Sequence, residues 1–193
     1  MKKFFALILA LVMALSLVAC GSAPAAGDDG ANDAPAKVKM RFVTGGESGT
    51  YYAFGGTIAQ HATNNAGVEV IGVVGNGSQA NIEQLQAKTA ELAFCQSDVM
   101  AYAYAGTNLF AESGKVDCFS TVAALYMEQV QIVTCDPAIK TVADLKGKRV
   151  SIGAAGSGVY FNALDVLGCY GLSESDIIPT YQEIGRASCR ERV

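Results

Sequence analysis

Residues 38–58 read VKMRFVTGGESGTYYAFGGTI, and the hydrophobic rhythm changes once within that stretch. Residues 38–43 are an apolar-rich run of strand length, 44–50 are a loop built from Thr, Gly, Glu and Ser, and Tyr51, Phe54 and Ile58 then recur at helical spacing. A strand that gives way to a helix through a glycine-rich loop is the start of a βα unit. Moving outward, the unit repeats. Residues 68–74 form a second strand, Ile82 and Leu85 mark a second helix, 92–95 form a third strand, and Val99, Tyr102 and Ala103 begin a third helix that stops near Gly106. Strict alternation of strand and helix predicts a parallel sheet joined by right-handed crossovers, an open α/β lobe.

Two further apolar runs follow at 119–126 and 130–135. A helical turn from Thr141, a turn at 146–148 and a strand at 149–152 come next. Val159, Ala163, Val166 and Leu167 then mark a helix face ending near Gly168 and Gly171, and Ile177 and Ile178 open another strand. Because strand and helix recommence after 130–135, residues 38–139 are read as a first lobe and 140–182 as the start of a second. That second lobe is unfinished, so apolar surface at Val150, Ile152, Leu164 and Leu167 is expected to be partly uncovered.

The two ends carry different information. Lys2 and Lys3, an apolar run of about 15 residues at 4–18, then Ala19 and Cys20 make a secretory signal, too short for the roughly 20 residues a spanning helix needs. Leu17, Val18, Ala19 and Cys20 resemble a bacterial lipobox, which marks 1–20 as a lipoprotein signal peptide and Cys20 as the site of lipid attachment. Residues 21–37, rich in Ala, Gly, Asp and Pro, lack large apolar side chains before the fold begins and are expected to form a flexible tether. The folded part is thus placed outside the cytoplasm, anchored to a membrane by lipid. At the other end, residues 183–193 turn abruptly basic and resemble a sequencing adapter translated in frame, so the natural sequence is expected to continue differently from about Glu183.

Charge and cysteines narrow the function classes. The formal net charge is −4, with no basic patch or arginine-rich run, so nucleic acid is excluded as the expected partner. With Cys20 committed to lipid and Cys189 inside the anomalous end, Cys95, Cys118, Cys135 and Cys169 remain. They show no CxxC spacing, which argues against a zinc or thioredoxin-like site. Cys95 and Cys135 each close an apolar run, where buried free thiols are expected, and no disulfide is assigned.

Four loops share one chemistry. Thr44, Gly45, Gly46, Glu47, Ser48, Gly49 and Thr50 form the first; Gly75, Asn76, Gly77 and Ser78 the second; Gln96, Ser97 and Asp98 the third; and Gly153, Ala154, Ala155, Gly156, Ser157 and Gly158 the fourth. Each leads from a strand into a helix, so each lies at the carboxyl edge of its sheet, where ligands of open α/β folds bind. Helix N-termini at that edge offer N–H groups and a positive dipole end, suited to a carboxylate. Taken singly, each loop is equally explained by ordinary capping and turn chemistry. The first lacks the Lys of a phosphate-binding P-loop, and the fourth reads GxxGxG in place of the dinucleotide pattern GxGxxG.

Catalytic chemistry has little to draw on. His61, the only histidine, falls on the solvent side of the first helix, and no spacing brings Glu47, Asp98 and Glu128 together. Tyr51, at a helix start beside the first loop, is the better candidate for ligand contact, whereas Tyr102 reads as core.

These residues resemble the TRAP-associated extracytoplasmic immunogenic (TAXI) family of solute receptors. The resemblance is carried by 45–52 with Gly55 and Gly56, by 75–81 and 91–98, by Leu125, Tyr126 and Glu128, by 144–150, and by Gly156, Ser157 and Gly158. It implies a periplasmic-binding-protein-like (type II) two-lobe α/β fold that closes on its ligand. The implied ligand is a small carboxylate, an organic acid or an amino acid such as glutamate, delivered to TRAP membrane permease subunits. By motif position it places Gly49, Thr50, Tyr51, Ser78, Asn81, Gln96, Ser97, Asp98, Ser157 and Gly158 at the ligand. Ala53 and Met127 stand where the family often has proline, and Glu47 where a small residue is common. No catalytic residue, metal or cofactor is expected. The rival readings are a receptor feeding an ABC importer and, behind it, a surface enzyme binding a phosphorylated substrate with its glycine-rich loops.

Overall fold

In the computed structural model, which describes residues 37–182, β1 (Lys39–Val43) lies at the centre of a three-stranded parallel sheet of order β2-β1-β3. β2 (Glu69–Val73) pairs along its whole length with β1, from Lys39 opposite Glu69 to Val43 opposite Val73. β3 (Leu92–Ala93) pairs on the other side through Phe42 and Val43 only, shorter than the apolar run 92–95 predicts. The central place of β1 follows from its sequence, since Phe42 and Val43 are buried while Lys39 and Arg41 sit at the solvated start of the strand. There they pair with Glu69 at 3.2 Å and Glu91 at 2.8 Å, and the Arg41 hydrogen bonds hold the Glu91 carboxyl down to about 2.

The crossovers are helices. α1 (Thr50–Asn65) joins β1 to β2, α2 (Ser78–Gln86) carries the chain back to β3, and α3 (Ser97–Ala105) leaves β3 and ends on Gly106 in the left-handed conformation at φ 66°. One core cluster sets Phe42, Val70 and Phe94 against Ala59 of α1. A second gathers Ile82, Val99, Ala103, Phe110 and Val116 with Phe161 from further along the chain. Burying side chains of this size contributes roughly 1.5–3 kcal/mol each.

β4 (Arg149–Ser151) and β5 (Ile178–Thr180) form a separate two-stranded parallel sheet, so the chain beyond Lys140 does not extend the first one. α4 (Gly158–Cys169) lies between them in sequence and has two apolar sides. Leu167 joins Leu145, Ile152 and Ile177 in a third cluster, and Phe161 reaches into the core of α2 and α3. The expected exposure of this region is corrected at two of its four positions: Ile152 and Leu167 are buried, because Leu145 and Ile177 close over them, while Val150 and Leu164 are half-buried.

The uncovered apolar surface lies elsewhere. The runs 119–126 and 130–135 carry no strand, and Val122, Met127 and Val133 are each at least 85% exposed. Cys135, expected buried at the end of the second run, is exposed for the same reason, while Cys95 is half-buried; Cys95, Cys118, Cys135 and Cys169 are free thiols. Lys37, counted with the tether, belongs to the described body, where its ammonium reaches the Thr63 carbonyl at 3.1 Å. The signal peptide with Cys20, the rest of the tether, and residues 183–193 lie outside the described residues. Among the described residues, no helix is long and apolar enough to cross a membrane.

Candidate functional site

All four glycine- and hydroxyl-rich loops reach one pocket of about 180 Å³. The first loop contributes Gly45, Gly46, Ser48, Gly49, Thr50 and Tyr51, and the second Asn76, Gly77 and Ser78. Gln96 comes from the third, and Gly153, Ala154, Ser157, Gly158 and Val159 from the fourth and the helix it opens. Glu128 completes the wall. The volume is below the roughly 300–1,000 Å³ of drug-sized sites and suits a small metabolite. A larger depression of about 510 Å³ lies between α1 and β2, lined among others by Ala53, Gly56 and Gly72, away from three of the four loops.

The helix starts differ in a way that bears on ligand binding. α1, α2 and α3 begin after Gly49, Gly77 and Gln96, and none of the three has a side-chain capping bond. α4 is capped, its Ser157 hydroxyl accepting from the Tyr160 amide at 3.2 Å. Two of these first turns are nevertheless partly satisfied, the Gln79 amide by the Gly156 carbonyl at 3.0 Å and the Val99 amide by Asp98 Oδ1 at 2.8 Å, and the helix starts lie at one edge of the fold.

Side chains tie the loops together. The Gln96 amide N–H donates to Ser78 Oγ at 3.0 Å, joining the third loop to the second. Gln96 Nε2 donates to Asn162 Oδ1 at 3.1 Å, and Asn162 Nδ2 donates to Asp98 Oδ2 at 2.8 Å, so α3 and α4 share a polar link. Tyr102 adds a second, its hydroxyl donating to Asp165 at 2.9 Å. Two glycines allow the close approach. A Cβ on Gly77, where φ is 100°, would sit 2.9 Å from Ser157 Cα, and one on Gly158 would fall 1.5 Å from Gln96 Oε1.

Tyr51 is the aromatic member of the wall. Its ring stacks on Phe94 with centroids 4.7 Å apart, and its hydroxyl donates to Glu128 Oε2 at 3.2 Å. Burial, and then the Glu128 charge, push its ionisation far above the ordinary tyrosine value, so it remains a neutral donor. Beside the site, burial and the Asp98 charge push the Cys95 thiol up to about 12, which makes it a poor nucleophile. No group of three His, Cys, Asp or Glu among the described residues is placed to hold a metal ion.

Of the residues singled out from sequence, Gly49, Thr50, Tyr51, Ser78, Gln96, Ser157 and Gly158 line the pocket, and Asn81, Ser97 and Asp98 do not. Asn81 is fully buried beneath the loops, where Nδ2 donates to the carbonyls of Thr44 at 2.6 Å and Phe94 at 2.9 Å. Ser97 is exposed at the first turn of α3, and Asp98 faces Asn162. His61 and Glu47 are exposed, as their positions predict. Glu128 was missed as a wall residue. It lies 77 residues from Tyr51 in a segment with no periodic structure, so spacing carries no signal of the contact.

Compared with known proteins, residues 42–193 match the model of the NMT1-like family. Among solved structures, the chain is similar to the alkanesulfonate-binding protein SsuA from Xanthomonas axonopodis pv. citri bound to MOPS. Identity is 23% and the TM-score 0.47, over 79% of this chain and 50% of that one. It is also similar to the periplasmic aliphatic sulphonate binding protein SsuA from Escherichia coli, at 21% identity and a TM-score of 0.44, over 78% of this chain and 46% of that one. The chain thus spans about half the length of these proteins.

Proposed function

The chain belongs to the NMT1-like family, and we propose that it is an extracytoplasmic solute-binding protein that captures a small anion for a membrane transporter and catalyses no reaction. The observation that carries this reading is the convergence of four strand-to-helix loops, three from one sheet and one from the other, on a single small pocket. Backbone N–H groups that remain open at helix starts, with the hydroxyls beside them, recognise a carboxylate or similar oxyanion without a basic side chain. Contacts from both sheets give the ligand higher affinity for the closed arrangement, and that difference drives closure.

In its finer form the proposal is a two-lobe, periplasmic-binding-protein-like receptor of TAXI type. It is anchored through lipid on Cys20, binds an organic acid or amino acid, and delivers it to TRAP permease subunits. A TRAP permease gene beside the receptor gene supports that assignment, and an ABC permease gene there replaces it. Isothermal titration calorimetry of the full-length protein tests the receptor reading itself, with organic acids, amino acids and alkanesulfonates as ligands. Saturable binding by one of these classes is the expected result, and absence of heat from all three overturns the proposal.

A further inference from the structure

We infer that Asn162 is a positioning residue of this pocket: with Asp98 it forms a one-way hydrogen-bond relay that seats the Gln96 side chain at the start of α4, so that the third and fourth loops are held at a set spacing before a ligand arrives. The relay stands on the geometry alone, and its bearing on affinity rests on the receptor reading above. Gln96 lines the pocket, yet its Oε1 is buried and, among the described residues, accepts no hydrogen bond. That oxygen lies against the first residue of α4, where a Cβ on Gly158 would fall 1.5 Å from it. A buried acceptor without a donor is destabilising, so the side chain has to be held there by its other bonds.

Those bonds have a direction. Asp98 Oδ1 accepts from the Val99 amide and Oδ2 from Asn162 Nδ2, each at 2.8 Å, so a carboxylate, which can only accept, has both oxygens engaged. With its Nδ2 committed, Asn162 turns Oδ1 to Gln96 and accepts from Gln96 Nε2 at 3.1 Å. Oε1 is thereby left facing α4, and a carbonyl oxygen is better placed beside a positive helix start than an NH2 group. The Gln96 backbone is fixed as well, its amide donating to Ser78 Oγ at 3.0 Å. Around the relay, Phe161 is buried with Ile82, Val99 and Ala103, and the Tyr102 hydroxyl donates to Asp165 at 2.9 Å. Neither Asn162 nor Asp98 lines the pocket, so both act through Gln96.

The test compares Asp98→Asn, Asn162→Leu and the exchange Asp98→Asn/Asn162→Asp in the full-length protein. In Asp98→Asn the Val99 amide keeps an oxygen as its acceptor, so the new NH2 group faces Asn162 and the relay reverses. Asn162 Nδ2 then donates to Gln96, whose own NH2 group is turned to the start of α4. In the exchange, the carboxylate at position 162 accepts from both sides, and the parent orientation of Gln96 returns. NMR without ligand is expected to show a strong nuclear Overhauser contact from the Gln96 NH2 protons to Gly158 Hα in Asp98→Asn, and a weak or absent one in the parent and the exchange. The melting temperature is expected to fall by at least about 3 °C in Asp98→Asn and Asn162→Leu, and to return to within about 1 °C of the parent in the exchange. Of glutamate, propionate and taurine, any that binds the parent is expected to bind both single variants about tenfold or more weakly and the exchange within about threefold of the parent. Gln96 contacts unaltered in Asp98→Asn overturn the relay, and so does an exchange that melts no higher than Asp98→Asn. Failure of all three probes to bind counts against the receptor reading separately, because the NMR and melting outcomes decide the relay without ligand.

Discussion

A single amide holds the pocket floor together. Asn81 is fully buried, and its Nδ2 bridges the carbonyl of Thr44, just past the end of β1, to that of Phe94, just past the end of β3. These two points are where the first and third loops depart, so the side chain fixes the spacing of loops it does not itself extend. Asn81→Ala leaves both carbonyls without this donor, in a site where water has no ready access. The expected loss is about 2–4 kcal/mol, from the roughly 1–3 kcal/mol penalty for each of the two carbonyls, less the relief of removing Asn81 Oδ1, which is itself buried without a partner among the described residues. A urea unfolding series checks this, and a change below about 0.5 kcal/mol contradicts the bridging role. Asn81 was expected at the ligand only through the family resemblance, by its motif position one turn into a helix after a glycine-rich loop. From that position a side chain faces either a ligand or the strand ends beneath, and only the way α2 lies across β1 and β3 decides between them. Glu128 shows the opposite case, a pocket residue whose neighbours come from loops remote in sequence.

At the scale of elements, the alternation from β1 to α3 was legible because the period of the apolar residues changes at each glycine-rich loop. The length of β3 was not, since pairing ends where β1 runs out of partners and not where the apolar run stops. Nor was the double role of α4 apparent: of the apolar face read from Val159, Ala163, Val166 and Leu167, Ala163 and Leu167 pack in the cluster of the second sheet, and the face omits Phe161, which seats the helix on α2 and α3. That seating brings the start of α4 against the start of α2, where Gly77 leaves room for Ser157. Gly77→Ala would place a methyl 2.9 Å from Ser157 Cα, too close for a backbone neighbour, and so would push the two helix ends apart. Ligand affinity is expected to fall roughly tenfold or more, about 1.4 kcal/mol per factor of ten. A positive-φ glycine also loses about 1–2 kcal/mol of stability when it gains a side chain, whatever surrounds it. Gly114→Ala separates the two effects, because Gly114 has φ of 82° and its added methyl would meet nothing within 4 Å. Calorimetry and melting on both variants should show lowered stability in each and weakened binding in Gly77→Ala alone; equal affinities would contradict the close-approach argument.

Across the whole molecule, the two sheets are closed by their own clusters, and the segment 119–135 between them is left apolar, exposed and without strand pairing. Its composition is strand-like, but a strand forms only where a neighbouring backbone accepts and donates, and none does so along this segment in the described residues. Such a segment has few buried contacts and should open at a lower free energy than the βα units on either side. Limited chymotrypsin digestion is therefore expected to cut first after Phe119, Leu125, Tyr126 or Met127, well before it reaches Phe42 or Phe94, which are both buried near 6% exposure. The same segment carries Glu128 into the pocket wall, so a ligand that fills the pocket packs against the segment and ties it down. Ligand should slow these cuts in proportion to its occupancy and should leave cleavage elsewhere unchanged. Initial cleavage within α1 or α2, or digestion indifferent to a ligand already shown to bind, would mean that 119–135 is neither the weak point of the fold nor part of its recognition surface.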